Sequence, residues 1–151
     1  MQRFRSALVV AATPGLAARL CAWLKPAGWN ITTAHTYASA KSRLDFGTDL
    51  LVTEVELGEY NGLQLAVRAQ SSGVPTLVVG RPDAVLERDA EQLGSTYLRK
   101  DELNHHRFLI AVDAKLDLLQ HLIPAACRNV EFARRTWAVR SATVVRRMLL
   151  N

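Results

Sequence analysis

Cysteine is scarce in this sequence, whose 151 residues include only Cys21 and Cys127. The two lie far apart, and neither forms a CxxC pair. The chain therefore offers neither a disulfide framework nor a dithiol redox motif. We interpret both cysteines as free thiols buried in helices.

Long apolar runs are also missing. No run approaches the roughly 20 residues that a membrane-spanning helix needs. The first ten residues, MQRFRSALVV, are basic and then apolar, as in a signal peptide, but Pro14-Gly15 interrupts the apolar run. We interpret this run as a strand and expect a cytoplasmic protein. The hydrophobic fraction of 49% is ordinary for a globular domain.

Acidic residues are nearly absent from the last part of the chain. Residues 1–122 contain 13 Lys/Arg and 13 Asp/Glu, whereas residues 123–151 contain six arginines and Glu131 alone. The last segment thus carries the whole net charge of +5. The high pI marks one basic segment and does not indicate a nucleic-acid-binding body.

Five short apolar runs alternate with helical patterns over residues 1–122. The predicted strands are residues 7–11, 29–34, 49–55, 75–79 and 96–98, and the predicted helices are 13–27, 37–46, 63–71, 83–93 and 101–122. This alternation predicts an α/β fold with a doubly wound, five-stranded parallel sheet. Pro124 interrupts the last helical pattern. We therefore divide the chain into a body, residues 1–122, and a C-terminal extension, residues 123–151.

The third predicted strand organises the rest of the chain. Residues 49–63 read DLLVTEVELGEYNGL, so the apolar Leu50-Leu51-Val52 leads to a carboxylate, Glu54, at the end of the strand. A polar loop and the turn pair Asn61-Gly62 follow. Open α/β sheets bind ligands at the carboxyl ends of their strands. Glu54 therefore lies where a functional site is expected.

Four segments, in this order, resemble the receiver domain of bacterial response regulators. ALVV with Pro14 resembles its first strand and helix start, and DLLVTEVEL with the later NGL resembles its phosphoacceptor strand. PTLVVG resembles its fourth strand, and LGSTYLRKDEL resembles the segment that carries an aromatic residue and a lysine, here Tyr97 and Lys100. The resemblance covers about residues 5–122 and implies a flavodoxin-like receiver fold.

The residues that perform phosphotransfer in this family are largely replaced. The resemblance places the two Mg²⁺-binding acids at Ala11 and Ala12, the phosphoacceptor aspartate at Glu54 and the switch Thr or Ser at Gly80, and it retains Lys100. Mg²⁺ requires oxygen ligands, and phosphoryl transfer depends on that metal. We therefore predict a degenerate receiver, or pseudo-receiver, with no metal, no cofactor and no phosphorylation by the usual route.

The resemblance also places Glu54 and Lys100 across the crevice from each other. Their pairing has two interpretations: a permanent imitation of the phosphorylated state, or the simple satisfaction of a buried carboxylate. Tyr97 corresponds to the family's reporter of activation, or it is a half-exposed strand aromatic beside space left by Gly80. Arg81 lies near the surface that the family uses for partners.

The C-terminal extension has the pattern of a basic amphipathic helix. Apolar residues recur close to one helical stripe at Val130, Ala133, Trp137, Val144 and Met148, and Arg128, Arg135 and Arg146 fall opposite. We expect the stripe to pack on the body or on a second copy, the latter giving a homodimer. A partner protein, an anionic membrane surface and nucleic acid stay open. Nucleic acid is not favoured, because no recognition-helix pattern is visible.

These features predict a non-enzymatic signalling or transcription-control module that acts through phosphorylation-independent protein–protein interaction. Two alternatives remain: a small-molecule or nucleotide sensor that uses the vacated crevice, and an N-terminal fragment of a longer transcription regulator. A flavin or nucleotide enzyme is disfavoured, because AATPG after the first strand is not a glycine-rich phosphate loop.

Overall fold

A computed structural model of the chain describes residues 5–44 and 47–122. Its elements are, in order, β1 (Arg5–Val10), α1 (Pro14–Leu24), a 3₁₀ turn (Lys25–Ala27), β2 (Trp29–Ala34), α2 (Tyr37–Leu44), β3 (Leu50–Glu54), β4 (Glu56–Leu57), β5 (Tyr60–Asn61), α3 (Gly62–Ser71), β6 (Thr76–Gly80), α4 (Ala84–Gln92), β7 (Thr96–Arg99) and α5 (His105–Leu122). The C-terminal extension lies outside the described residues.

Five strands form one parallel sheet in the order β2-β1-β3-β6-β7. The chain builds outwards from β1 first to one side and then to the other, so the strand order reverses between β1 and β3. Helices cover both faces, and the predicted doubly wound, flavodoxin-like fold is confirmed. Sheets of this kind bind ligands at such a reversal, outside the carboxyl ends of the strands.

The central strands are buried on both faces. Val9, Val52 and Val79 pack in the layer under α1 and α5, whereas Leu8 and Leu51 pack in the layer of α2 and α3. This burial explains why these strands read as continuous apolar runs instead of alternating ones. Within the described ranges, no helix has both the length and the apolarity needed to cross a bilayer.

Three features depart most from the sequence prediction: the end of the first helix, the loop after Glu54 and the start of the last helix. The first helix ends at Leu24 and gives way to the 3₁₀ turn, because Pro26 has no N–H to donate to the helix. The polar loop after Glu54 contains a small antiparallel hairpin, β4–β5. The last helix begins at His105 and not at residue 101, because Asn104 caps it: the Asn104 Oδ1 accepts a hydrogen bond from the Arg107 amide at 2.9 Å.

Candidate functional site

The ends of three parallel strands bring Thr13, Glu54 and Lys100 together at one edge of the sheet. Thr13 lies between β1 and α1, Glu54 is the last residue of β3, and Lys100 follows β7. Thr13 and Lys100 are 41 and 46 positions away from Glu54 in the chain. Their proximity is therefore a product of the parallel topology.

The Glu54 carboxylate is buried and accepts three hydrogen bonds. Its side chain is 2% exposed. Oε1 accepts from the Lys100 Nζ and from the Thr13 hydroxyl at 3.0 Å, and Oε2 accepts from the Thr13 amide at 3.2 Å. The Lys100 side chain remains 30% exposed. Both carboxylate oxygens are thus engaged, and the charge of Glu54 is balanced by an ammonium group.

Opposing influences set the pKa of Glu54. Burial is the largest single influence, and it raises the pKa. The hydrogen bonds from Lys100 and from the Thr13 amide and hydroxyl, together with the charge of Lys100, act in the other direction and prevail, so the pKa of Glu54 lies below its usual value. Glu54 is consequently ionised at neutral pH. The positive end of the α1 dipole adds to this stabilisation.

Thr13 has a role that sequence reasoning missed. Thr13 occupies the N-cap position of α1, but its side chain makes no capping hydrogen bond. Its hydroxyl donates to Glu54 instead. Hydrogen bonds to ionised acceptors are stronger than neutral ones, and a buried carboxylate is costly without donors. The available sequence signal was a hydroxyl directly after Ala11-Ala12 at the end of the first strand.

Gly62 allows α3 to begin directly against the end of β3. A Cβ on Gly62 would overlap the Glu54 carbonyl oxygen and would lie 2.8 Å from the Thr53 Oγ1. The Gly62 amide donates to the Val55 carbonyl at 2.7 Å, which fixes this approach. The Asn61-Gly62 pair of the sequence therefore holds the loop after Glu54 in place.

Ala11 and Ala12 border the crevice without any polar side-chain atom. Ala11 is fully buried, and its amide donates to the Ala34 carbonyl at 3.1 Å. Ala12 is exposed. Among the described residues, no group of three or more His, Cys, Asp and Glu side chains could hold a metal ion. The side chains at these positions therefore do not fit the Mg²⁺ that the family resemblance implies.

Gly80, at the end of β6, makes room for Tyr97. A Cβ on Gly80 would overlap the Tyr97 hydroxyl and would lie 2.7 Å from the Val55 Cγ2. The hydroxyl donates to the Arg81 carbonyl at 2.6 Å, and the ring packs against the cluster that contains Val55. Burial, followed by the charge of nearby Glu87, raises the pKa of Tyr97. Tyr97 occupies the space that Gly80 leaves by having no side chain.

The surface next to Tyr97 carries charged side chains in fixed pairs. Arg81 is exposed and pairs with Glu56 at 2.6 Å. Arg99 reaches both carboxylate oxygens of Glu87, at 2.7 and 3.1 Å. A groove of about 150 Å³ lies here, lined by Glu87, Tyr97, Leu98, Arg99, Glu102, Leu103 and Arg107. Exposed pairs of this kind add little stability, but they define the charge pattern around the groove.

The residues predicted for the tail interface lie outside the described residues. They are Val130, Trp137, Val144 and Met148 on the apolar stripe, and Arg128, Arg135 and Arg146 on the opposite side. The structure therefore locates the crevice residues and the Arg81–Tyr97 surface, and it leaves the tail interface as a prediction from sequence.

Comparison with solved structures identifies the fold. A CheY-like response regulator receiver domain protein from Methanospirillum hungatei JF-1 is similar with a TM-score of 0.73 and 17% identity, over 80% of this chain and 100% of that chain. A response regulator receiver domain protein from Clostridium thermocellum gives 0.72 and 15%, over 80% and 100%. The body has the receiver-domain fold. A two-component response regulator from Clostridium difficile matches this receiver fold with a TM-score of 0.69 and 20% identity, over 75% and 96%.

At sequence identities of 15–20%, the similarity establishes the receiver fold but not the role of any side chain. No family model and no curated protein sequence matches the chain. The crevice of this receiver fold contains a glutamate that accepts hydrogen bonds from a lysine and from a threonine.

Proposed function

We propose that the chain is a pseudo-receiver, a cytoplasmic signalling or transcription-control module that binds protein partners without being phosphorylated. The observation that carries this proposal is the Glu54 carboxylate, whose two oxygens already accept hydrogen bonds from Lys100 and Thr13. Phosphoryl transfer to a carboxylate requires an available oxygen and a metal that neutralises the developing charge. Ala11 and Ala12 supply no ligand for that metal.

The Glu54–Lys100 pair supports a constant rather than a switched surface. A receiver that switches needs two arrangements that differ in their affinity for a ligand or modification. Here the ammonium group ties the end of β3 to the residue after β7, and Gly80 supplies no hydroxyl that could follow a phosphoryl group. The pair thus holds one arrangement of the crevice at all times, in the absence of any phosphoryl donor.

The proposed interaction surface is the face around Tyr97 and Arg81, with the adjoining α4. Arg99–Glu87 and Arg107–Glu102 fix the charges around its groove, and Val85 on α4 is 66% exposed. A groove lined by apolar side chains and by charges of both signs suits another protein better than a polyanion, which would meet Glu87 and Glu102. The module binds and does not catalyse in this proposal.

The sequence also leaves open a homodimer through the apolar stripe of residues 123–151, as the alternative to packing of that stripe on its own body. Light scattering on the full chain tests this homodimer. Trp137→Ala should weaken a dimer far more than Arg135→Ala, because a buried aromatic anchor contributes about 2 kcal/mol or more to an interface. A wild type that stays monomeric at all concentrations would exclude the homodimer and leave the other protein partners.

Capture of partners with and without a phosphoryl donor tests the proposed function. The immobilised full chain is incubated with extract of its native cell, either with EDTA or with Mg²⁺ and acetyl phosphate. We expect the same partners in equal amounts, and their loss when Arg81 and Arg99 are both replaced by Ala. Partners that appear only with Mg²⁺ and acetyl phosphate, together with a phosphorylated chain in intact-mass spectra, would overturn the proposal.

A further inference from the structure

The outer face of α5 exposes an apolar and acidic stripe. Phe108 and Val112 face the core, and on the other side Ile110 is 54% exposed. Asp113, Ala114 and Asp117 are exposed as well. The spacing of Ile110, Asp113, Ala114 and Asp117 is i, i+3, i+4 and i+7, which places them on one side of the helix. We call these four residues the α5 stripe.

The two carboxylates of the α5 stripe have no counter-ion among the residues that the structure describes. The ion pairs between described residues involve other acids, such as Glu56, Glu87 and Glu102. Neither Asp113 nor Asp117 enters any of them. Ala114, between them, has a small side chain and allows close approach of another backbone. The stripe thus combines an exposed aliphatic residue with two carboxylates available to a cationic partner.

The chain itself supplies a cationic segment directly after α5. The helix extends to Leu122, and Pro124 two residues later cannot continue it without losing a hydrogen bond. If the helix predicted for residues 123–151 forms, the short break between it and α5 favours its antiparallel return along α5. The segment that follows holds six arginines and one glutamate. Its charge is therefore opposite to that of the α5 stripe.

The register of such a return brings complementary residues level with each other. If residues 123–126 form the turn, equal helical rise places Arg134 level with about the midpoint between Asp113 and Asp117. Trp137 then falls about two positions, or roughly 3 Å, from the level of Ile110. Val130, Arg134 and Trp137 have i, i+4 and i+7 spacing, so one side of a helix would present all three.

We propose that residues 127–141 fold back on the α5 stripe of their own chain, with Trp137 against Ile110 and Arg134 between Asp113 and Asp117. The contact forms within one chain because the short connection gives the segment a high effective concentration at α5. In this arrangement Trp137 and Val130, which belong to the apolar stripe of the extension, are buried against α5. This inference is independent of the proposed lack of phosphorylation.

Trypsin protection of the full chain tests the proposal, since the arginines of the segment are cleavage sites. Cleavage after Arg140 is followed by intact-mass spectrometry and compared with that of a synthetic peptide of residues 123–151. We expect the full chain to be cleaved at least about tenfold more slowly than the peptide. Ile110→Ser should accelerate cleavage about fivefold or more. The matched control is Val67→Ser on α3, an aliphatic residue of similar exposure at 48%, which should leave the rate unchanged.

Charge reversal tests the register. Asp113→Lys together with Asp117→Lys should accelerate cleavage about fivefold, the effect expected for two exposed ion pairs. Adding Arg134→Asp should restore protection, whereas adding Arg135→Asp, on the other side of the segment, should not. Melting followed by circular dichroism verifies that each variant is folded, and Ile110→Ala replaces any serine variant that is not.

Three results would overturn the proposal. One is cleavage of the wild-type chain at the rate of the free peptide. Another is an equal effect of Ile110→Ser and Val67→Ser. The third is protection that rises with protein concentration and is accompanied by a dimer in light scattering, because the segment would then dock on a second copy. None of these results bears on whether Glu54 is phosphorylated.

Discussion

The hydroxyl of Tyr97 occupies the space that a side chain on Gly80 would need. In the parallel register of β6 and β7, Tyr97 lies opposite Val78, two residues before Gly80, and its ring reaches along the sheet to the end of β6. The hydroxyl then donates to the Arg81 carbonyl. Gly80, which the family resemblance places at the position of the switch Thr or Ser, thus leaves the room that Tyr97 occupies. Tyr97 in turn forms part of the groove on the proposed partner surface.

Gly80→Ala should destabilise the protein by about 1–3 kcal/mol, because the new methyl group collides with the Tyr97 hydroxyl and with Val55. Urea unfolding measures the loss. In a Tyr97→Phe background the same substitution should cost less, since the closest atom is gone. Equal costs in the two backgrounds would show that Gly80 and Tyr97 are not coupled.

Lys100→Met should destabilise the protein by about 3 kcal/mol at pH 7, because it leaves the buried Glu54 charge without its counter-ion. Glu54→Gln in the same chain should recover part of this loss, since the neutral amide costs less to bury. Thermal and urea unfolding of the two single variants and the double variant form the cycle. A Lys100→Met variant as stable as the wild type would contradict the importance of the pair.

The pH dependence of stability should report Glu54 on the acid side. Its folded-state pKa is lowered, so its contribution is fully present above the unfolded pKa of about 4.3 and is lost as the pH falls through the folded pKa. Below about pH 4 the wild type should therefore no longer have a higher free energy of unfolding than Glu54→Gln. Unfolding free energies measured for both proteins between pH 7 and pH 3 give this difference directly. A difference that is constant over this range would be inconsistent with a lowered pKa.

Thr13→Val should destabilise the protein by about 1–2 kcal/mol, because it removes the hydroxyl donor to Glu54 and keeps a similar shape. It should also raise the pKa of Glu54 towards its usual range, which shifts the acid loss of stability to higher pH. Thr13→Ser, which retains the hydroxyl, is the matched control and should behave like the wild type. If Val and Ser have the same effect, the hydroxyl does not stabilise the carboxylate.

Mg²⁺ should not bind at the crevice, because Ala11 and Ala12 supply no oxygen ligand and both Glu54 oxygens are engaged. Amide chemical shifts of residues 11–13 and 54 during a Mg²⁺ titration measure this. The positive control is the triple variant Ala11→Asp, Ala12→Asp, Glu54→Asp, in which a saturable response is expected. Saturable binding to the wild type below about 1 mM would contradict the prediction.

The sequence alone determined the order of the five sheet strands and the five helices, and the position of the crevice. Buried runs such as Leu50-Leu51-Val52 are recognisable locally, since a strand covered on both faces must be apolar throughout. Glu54 and Lys100 were placed together because the family resemblance supplied the topology. The Asn61-Gly62 turn pair is also a local signal. Asp83, the first residue of the fourth predicted helix, caps α4, and its Oδ1 accepts a hydrogen bond from the Val85 amide at 2.9 Å.

Only the tertiary structure decided what Thr13 and Tyr97 do. The Thr13 hydroxyl could cap α1 locally, but it donates to the distant Glu54 and makes no capping hydrogen bond. The contact with Glu54 prevails because a hydrogen bond to a buried, ionised carboxylate is stronger than a cap at an exposed helix end. Tyr97 fills the space beside Gly80 because two separate strands are brought into register. Both outcomes depend on contacts between residues far apart in the chain, and local patterns carry no record of such contacts.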